Sequence, residues 1–440
     1  MTSQRRIRRY SALLLAATTA IAVAACSVES NDDNKTPPAG TPTAEAYPPP
    51  PAPAEAPGVT ADSIKIGVVY PDLSVVKQYV DVDHGDYEAV FQALIDKVNA
   101  DGGIAGRKIV PVYGAVDVIS PTGAQETCVR LTEDEKVFAV IGSLNAEDVN
   151  CYVQTHKTVV VGGDLTAERY SKAQAPWVSD QRGGDELPEG LDLFIDDGVL
   201  TGKKLAVVAY RDDQATLDKV VLPTLRDKNI PVTETGVLDA DTSDPAAVSS
   251  QLNVFIQKFQ SAGVDTVLLV GGSQAQFPAE LQKTSYRPRL LFASNNTAGS
   301  YVFGARDGDL SVLEDSLAIG QAANYTDPAV NTCLSTVEAA LPETKGKIID
   351  PALTPAKEPA WGTSESVACR YLALFQAIAE KAGKDLTYKS FQDASFSLGS
   401  FDLPTATDGA TYSRQTPNGA IPPRIFAWDA TKKGFFVTAG

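Results

Sequence analysis

The groups in this chain best suited to covalent chemistry are its five cysteines. Cys26 follows Val23-Ala24-Ala25, small residues that fit the narrow groove of a signal peptidase, and its thiol is a good acceptor for a diacylglycerol. The other four, Cys128, Cys151, Cys333 and Cys369, contain no CxxC pair, and only His84 and His156 could join them around a metal. An even set of thiols without zinc spacing reads as two disulfides formed in an oxidising compartment. Three pairings are possible. Cys128–Cys151 and Cys333–Cys369 are expected, because each pair brackets neighbouring elements. No metal or other cofactor is implied. Catalytic signatures are missing too: there is no GxSxG elbow, no HExxH and no GK[ST] phosphate loop. No base and nucleophile are nominated, so an enzyme is not expected. Gly102, Gly103 and Gly106 follow a helix instead of preceding one, which makes them a turn.

The residues before Cys26 explain how the chain would reach an oxidising compartment. Arg5, Arg6, Arg8 and Arg9 precede an apolar or small-residue run, Ser11 to Ala25. That run is too short to span a bilayer and has the length of a signal-peptide core. The whole resembles a bacterial lipoprotein signal over 1–25, with Cys26 as the lipidated first residue of the mature chain. The general and twin-arginine export routes both stay open. Residues 26–60 are rich in Pro, Ala, Glu and Thr, include Pro48-Pro49-Pro50-Pro51, and carry almost no apolar bulk. Such a segment is expected to be a disordered tether. Net charge is −17, and −21 once the four arginines are removed. This argues against nucleic acid and against anionic lipid surfaces, leaving the lipid as the only membrane contact.

From Ser63 onward the pattern is strand–helix alternation. Ile64–Tyr70, Lys108–Val112, Val137–Ile141 and Thr158–Val161 are short apolar strands, with helices over Tyr87–Ala100, Gly123–Asp134 and Glu147–His156 between them. A second series runs from Leu205–Tyr210 to Leu290–Ala293. Two longer helices, about Ala329–Leu341 and Ser364–Ala382, come next, and Arg424–Val437 is strand-like. Continuous Val/Ile runs each followed by a helix mean parallel sheets covered on both faces. The expected fold is therefore α/β: two Rossmann-like lobes with helix-flanked parallel sheets. Ligands bind such sheets at the carboxyl ends of the strands, and two sheets facing each other make a clamp.

The run Asn99-Ala100-Asp101-Gly102-Gly103-Ile104-Ala105-Gly106-Arg107-Lys108-Ile109, with Val137-Phe138-Ala139-Val140-Ile141-Gly142 at its proper distance, resembles the type I periplasmic binding proteins of the leucine/isoleucine/valine-binding family. The resemblance implies three crossovers, with 61–182 plus 322–400 in lobe 1 and 183–321 plus 401–440 in lobe 2. It also implies a monomer that closes on a small polar ligand and docks to the permease of an ABC transporter. A cysteine pair like Cys128 and Cys151 is common in that fold. Loop by loop, the ligand residues would be Asp72 and Ser74, Ser143 and Asn145, and Asp164 and Thr166 from lobe 1. Lobe 2 would give Asp212, Ser273, Gln274 and Asn295. Three departures stand out. The ligand-binding serine expected after the Val-Ile-Gly strand falls on Ala146, the loop after Tyr210 has no aromatic, and Asn295 stands where the family places the acid that meets an α-ammonium. An amino acid or another small polar metabolite both remain open, with Asp164 and Asp212 as replacement charges. A sensor that binds ligand and signals through a membrane partner would use the same clamp.

Overall fold

The computed structural model describes residues 47–77, 82–120, 122–144, 147–241, 244–305 and 308–438. Cys26, the signal sequence and Asn145 lie outside the described residues.

The first half builds strands β1 (Ser63–Asp72), β2 (Lys108–Asp117), β3 (Ala139–Gly142), β4 (Val159–Val161) and β5 (Trp177–Val178). Between them run α1 (Tyr87–Ala100), α2 (Gly123–Val129), α3 (Asp148–Asn150) and α4 (Ala167–Tyr170). The caps follow from the sequence. Asp86 accepts from the Ala89 amide at 2.9 Å to start α1, and Thr166 accepts from the Arg169 amide at 3.2 Å to start α4. α2 and α3 each continue as π-helical turns, over Arg130–Asp134 and Cys151–Thr155. A disulfide joins Cys128 to Cys151 across these two helices, with Cα atoms 6.4 Å apart.

The second series holds α5 (Leu187–Asp196), β6 (Leu205–Tyr210), α6 (Gln214–Thr216), α7 (Leu222–Asp227), β7 (Val232–Leu238) and α8 (Pro245–Ala262). It continues with β8 (Thr266–Leu269), α9 (Ser273–Gln282), β9 (Arg289–Phe292), α10 (Asn295–Ala305) and β10 (Leu317–Gly320). The chain then returns through α11 (Leu334–Ala340), α12 (Trp361–Ala382) and α13 (Tyr388–Phe396). It ends with β11 (Gly399–Phe401), β12 (Ala410–Tyr412), β13 (Arg424–Asp429) and β14 (Gly434–Val437). Cys333 and Cys369 form the second disulfide, Cα atoms 5.9 Å apart.

The first sheet has the order β2-β1-β3-β4-β5 and is parallel throughout. The second has the order β14-β13-β10-β9-β8-β6-β7. Its strands β7-β6-β8-β9-β10 repeat the first sheet's order, so the two series are copies of one doubly wound pattern. The second sheet is mixed, because β13 and β14 join it antiparallel as a hairpin. Short connections force this: only four residues separate β13 from β14, too few for a parallel crossover. We call the first sheet with its flanking cores lobe 1 and the second lobe 2. Three crossovers link them, after β5, after β10 and before β13.

Two expectations need correction. The Pro-rich segment does not stay apart from the domain as far as residue 60. Pro50 is buried and its carbonyl accepts from Gln392 Nε2 at 2.9 Å. The carbonyls of Pro53 and Glu55 accept from the Lys389 and Tyr388 amides, and the Gly58 carbonyl accepts from the Lys65 amide. Prolines suit this role, because an extended strap that offers only carbonyls needs no amide partners. The second correction concerns residues 401–421, assigned to lobe 2 by the sequence. Leu403, Ala410, Tyr412 and Ile421 are buried in the core against the first sheet. Among the described residues, no helix is long and apolar enough to cross a membrane.

Candidate functional site

A strand order that reverses leaves a crevice at the carboxyl ends of the two strands flanking the reversal. In lobe 1 these strands are β1 and β3; in lobe 2 they are β6 and β8. The lobe 1 crevice holds Asp72 and Ser74 from one side. Asp72 accepts from the Ser74 amide at 3.0 Å and from its hydroxyl, so the pair closes its own turn. Ser143 faces it, half-buried, its amide bonded to the Val69 carbonyl at 2.9 Å. Gly142 has φ +125°, and any side chain there would collide with the Val69 carbonyl, so the turn off β3 requires glycine.

Beside that crevice, β4 ends in Gly162-Gly163, and the next residues carry Asp164 and Thr166. Thr166 spends its hydroxyl capping α4. Asp164 is half-buried and its carboxylate accepts no hydrogen bond among the described residues. Burial pushes its carboxyl pKa up, Arg169 opposes the shift, and nearby Asp180 adds to it. Asp180 follows β5 and is 1% exposed. One of its oxygens accepts from Arg370 of α12 at 2.9 Å, and the carboxylate also faces the buried Tyr371 hydroxyl of the same helix, whose pKa it helps to raise.

In lobe 2 the crevice is made by Tyr210 at the end of β6 and Gly271-Gly272 after β8. A side chain at Gly272 would collide with the Tyr210 ring, and one at Gly271 with the Asp213 carboxylate. The two glycines thus let an aromatic and an acid lie against the loop. Asp213 accepts from the Gly272 amide at 2.9 Å, and burial raises its pKa. Asp212 is exposed beside it. Ser273 and Gln274 turn inward. Ser273 Oγ lies 2.7 Å from the Val270 carbonyl and 2.9 Å from that of Val208. Gln274 donates to the Gly271 carbonyl and accepts from the Ser294 amide. Both are 1% exposed, so the structure gives them loop-building work in place of the ligand contact expected of them. Asn295 opens α10, its Oδ1 buried and unpartnered.

The predicted residues thus form separate groups: Asp72, Ser74 and Ser143; Asp164 and Thr166; Asp212 beside Gly271-Gly272; Gln274 next to Asn295. Sequence reasoning missed Tyr210, Asp180 and Arg370. Tyr210 reads as an interior strand residue until the Gly-Gly loop beneath its ring is seen. Asp180 lies after a two-residue strand that leaves no periodicity.

Two of those missed residues, Asp180 and Arg370, bind the crossovers together. Arg370 donates to Asp180 on the first crossover and to the Pro404 carbonyl (3.1 Å) and Thr405 Oγ1 (2.7 Å) of the lobe 1 segment that leads to the third. Gln321, on the second, donates to the Asp180 carbonyl at 3.1 Å. Arg182 on the first crossover pairs with Glu189 and reaches the Ile421 carbonyl.

Other candidates drop out on geometry. His156 bonds Glu133 at a helix end, and the sulfurs near it are already joined as Cys128–Cys151, so the three make no metal site. His84 bonds Tyr87 at 2.9 Å, and burial lowers its pKa. Two open hollows of about 780 and 750 Å³ lie at the amino ends of the strands, near Lys203 and Arg289 and near Lys136 and Lys157. They are remote from the crevices, and the doubly wound order favours the carboxyl ends as the site.

Comparison with known proteins agrees with this geometry. Solved structures of similar fold include an ABC transporter substrate-binding protein of Desulfitobacterium hafniense in complex with Leu (TM-score 0.60, 14% identity, covering 86% of this chain and all of that one). A leucine-binding protein of Thermotoga maritima aligns at TM-score 0.61 and 13% identity, covering 86% of this chain and 98% of its own. A solute-binding protein of an ABC transporter from Rhodopseudomonas palustris, in complex with 3,4-dihydroxybenzoic acid, aligns at TM-score 0.58 and 12% identity over 86% and 97%. Among curated proteins, none matches the chain. Residues 63–350 match the sequence profile of the periplasmic binding proteins. The chain belongs to that family, in its type I form: extracytoplasmic proteins that bind solutes and are not enzymes.

Proposed function

We propose that this chain is a lipid-anchored capture protein, tethered through Cys26, that encloses one small polar molecule between its lobes and presents it to an ABC-transporter permease. The observation that carries the reading is the pair of doubly wound sheets in one strand order, joined by three crossovers, with Arg370, Asp180 and Gln321 hydrogen-bonding the first two to the segment that leads to the third. That arrangement lets two crevices rotate toward each other about a fixed hinge. Asp72, Ser143, Asp164 and Thr166 would meet the ligand first, and Tyr210, Asp212 and Asn295 would cover it. Water leaves on closure, and the remaining hydrogen bonds strengthen in the drier cleft. The fold does not choose the ligand: structural neighbours were solved with Leu and with 3,4-dihydroxybenzoic acid.

The test is thermal unfolding of the mature chain against amino acids, amines, aromatic acids, sugars and polyols. A ligand at 1,000 times its Kd stabilises by about 4 kcal/mol. The same ligand should shrink the radius of gyration in small-angle scattering. A panel that moves neither quantity sinks solute capture. Globomycin-sensitive processing and palmitate labelling abolished by Cys26→Ala test the anchor separately.

A further inference from the structure

We propose that the Cys128–Cys151 bridge is the closed state of a metal site. When the bridge is reduced, Cys128, Cys151 and His156 bind one Zn²⁺ ion, and re-oxidation expels it. This does not depend on which solute the cleft holds.

Three observations carry it. The first is the cluster itself. The two sulfurs and a ring nitrogen of His156 lie within 4.8 Å of one another. In the oxidised chain the sulfurs bond each other and leave no place for an ion. Once they are parted, two thiolates and an imidazole are ligands that Zn²⁺ takes, at about 2.3 Å from sulfur and about 2.0–2.1 Å from nitrogen. Tetrahedral angles then set the sulfurs roughly 3.8 Å apart. The Cα atoms are already 6.4 Å apart, so rotation of the two side chains supplies that separation. Among the described residues no other three ligand groups come this close, and Cys333–Cys369 has no third ligand beside it.

The second is the orientation of the histidine. His156 Nδ1 lies 2.7 Å from Glu133 Oε1. A carboxylate only accepts, so Nδ1 carries the proton and the neutral ring keeps its lone pair on Nε2. A carboxylate behind a ligating histidine fixes the tautomer and raises the basicity of the nitrogen that meets the metal. Glu133 is exposed and lies outside the cluster, so it orients the ring and does not ligate.

The third is the helix geometry. Glu133 follows Cys128 by five residues, and His156 follows Cys151 by five. With about 3.6 residues per α-helical turn, a residue five further on points to the other side of the axis. Here both helices widen. The Glu135 amide bonds the Arg130 carbonyl at 2.9 Å, and the His156 amide bonds the Cys151 carbonyl at 3.0 Å. The wider π-turn brings His156 back toward Cys151, and such turns are frequent at functional sites. Cys128 is buried, while Cys151 and His156 are half-buried. His156 also lines the open hollow of about 750 Å³ beside Lys136 and Lys157, which gives an entry path and water for a fourth ligand.

A dithiol of the extracytoplasmic compartment would open the bridge. Its thiolate attacks Cys151 Sγ, and the Cys128 sulfur leaves as a thiolate. The second thiol of the reagent then displaces Cys151 and closes its own disulfide, so two electrons pass to the bridge. Zn²⁺ binding releases the proton of each cysteine that is still a thiol. The reverse exchange, with a disulfide as oxidant, frees the ion.

The experiment uses the mature chain, reduced with a phosphine and desalted without air. Zn²⁺ is titrated against a chromophoric chelator, with Co²⁺ as the spectroscopic probe and circular dichroism to follow the fold. The expected result is one ion per chain, bound roughly a hundredfold or more tighter by the reduced chain than by the oxidised one. Co²⁺ should give a thiolate charge-transfer band and the visible bands of a tetrahedral site. Cys128→Ser/Cys151→Ser should lose both signals. His156→Ala and Glu133→Gln should each weaken Zn²⁺ by roughly tenfold or more. Equal affinity in the two redox states, or wild-type affinity in His156→Ala, overturns the site. Binding that survives Cys128→Ser/Cys151→Ser places the ion elsewhere and overturns it as well. So does a reduced chain that has lost its fold.

Discussion

The two lobes share a strand order and differ in how they are fastened. Lobe 1 carries both disulfides, a docked N-terminal strap and most of the buried polar network. Lobe 2 has no disulfide among its described residues, and its crevice is built from Gly271, Gly272 and a tyrosine ring. The return of α12 to lobe 1 makes the difference. Arg370 projects from it to the first crossover and to the segment leading to the third, and Cys369, the residue before it, holds the segment leaving the second. Lobe 1 is thus the frame to which all three links are fixed, and under the proposed closure lobe 2 is the part that would rotate.

Arg370→Ala should have the largest effect, because it strips the cation from a carboxylate that is 1% exposed. Breaking such a buried pair from one side costs about 3–5 kcal/mol. Urea unfolding measures it, and a loss under about 1 kcal/mol would break the picture of a fixed hinge. Removing the Cys333–Cys369 bridge comes next. It closes a 36-residue span, for which chain entropy gives about 4 kcal/mol. Hydrogen exchange on Cys333→Ala/Cys369→Ala should show faster opening in α11, α12 and the first sheet, with β6, β8 and β9 unchanged. Equal loosening of both lobes would show that the frame is not confined to lobe 1.

Much of this frame was legible in the sequence and its joints were not. α1 and β6 match their expected bounds, because caps and continuous apolar runs are local signals. The cysteine pairing also follows from neighbouring elements. What failed depended on contacts far along the chain. Pro48–Gly58 has the composition of a spacer, yet its carbonyls find partners on α13 and β1, which no composition reveals. Residues 401–421 follow a lobe 1 helix without any apolar period to say which core they join. Strand-end position nominated Asp72, Asp164 and Asn295, and each lies in a loop at the carboxyl end of a strand. Position alone cannot tell a side chain facing the cleft from one turned into the loop, as Ser273 and Gln274 are.

Glu365 sharpens the contrast at intermediate size. It is 0% exposed in lobe 1, and burial pushes its carboxyl up to about 7 although a hydrogen bond with Asn331 and the charge of Arg370 oppose the shift. Unfolded, it titrates near its ordinary value of 4.5. Between those values the folded chain holds a proton that the unfolded chain has released, so stability falls as pH rises through this window. The loss approaches about 3 kcal/mol above pH 7. Glu365→Gln should remove that slope, leaving it level with wild type near pH 4 and more stable at pH 8. Parallel melting-temperature curves for the two proteins would show that the carboxyl is solvated.

Tyr47 is the smallest and most local test. Its hydroxyl donates to Asp185 on the first crossover at 2.6 Å and accepts from Asn418, on the lobe 1 segment that leads to the third, at 2.8 Å, while its ring meets Tyr170 edge-on. Tyr47→Phe keeps the ring and should cost about 1 kcal/mol in denaturant unfolding. The strap touches one crossover and the approach to another at this point, so the informative quantity is ligand affinity. If hinge rotation disturbs the Asp185–Tyr47–Asn418 chain, the phenylalanine variant closes more easily and binds more tightly, by roughly twofold if about half of that energy opposes closure. Unchanged affinity with the same stability loss would make Tyr47 a fastening of lobe 1 alone, and would leave Arg370 and Gln321 as the groups that set the hinge.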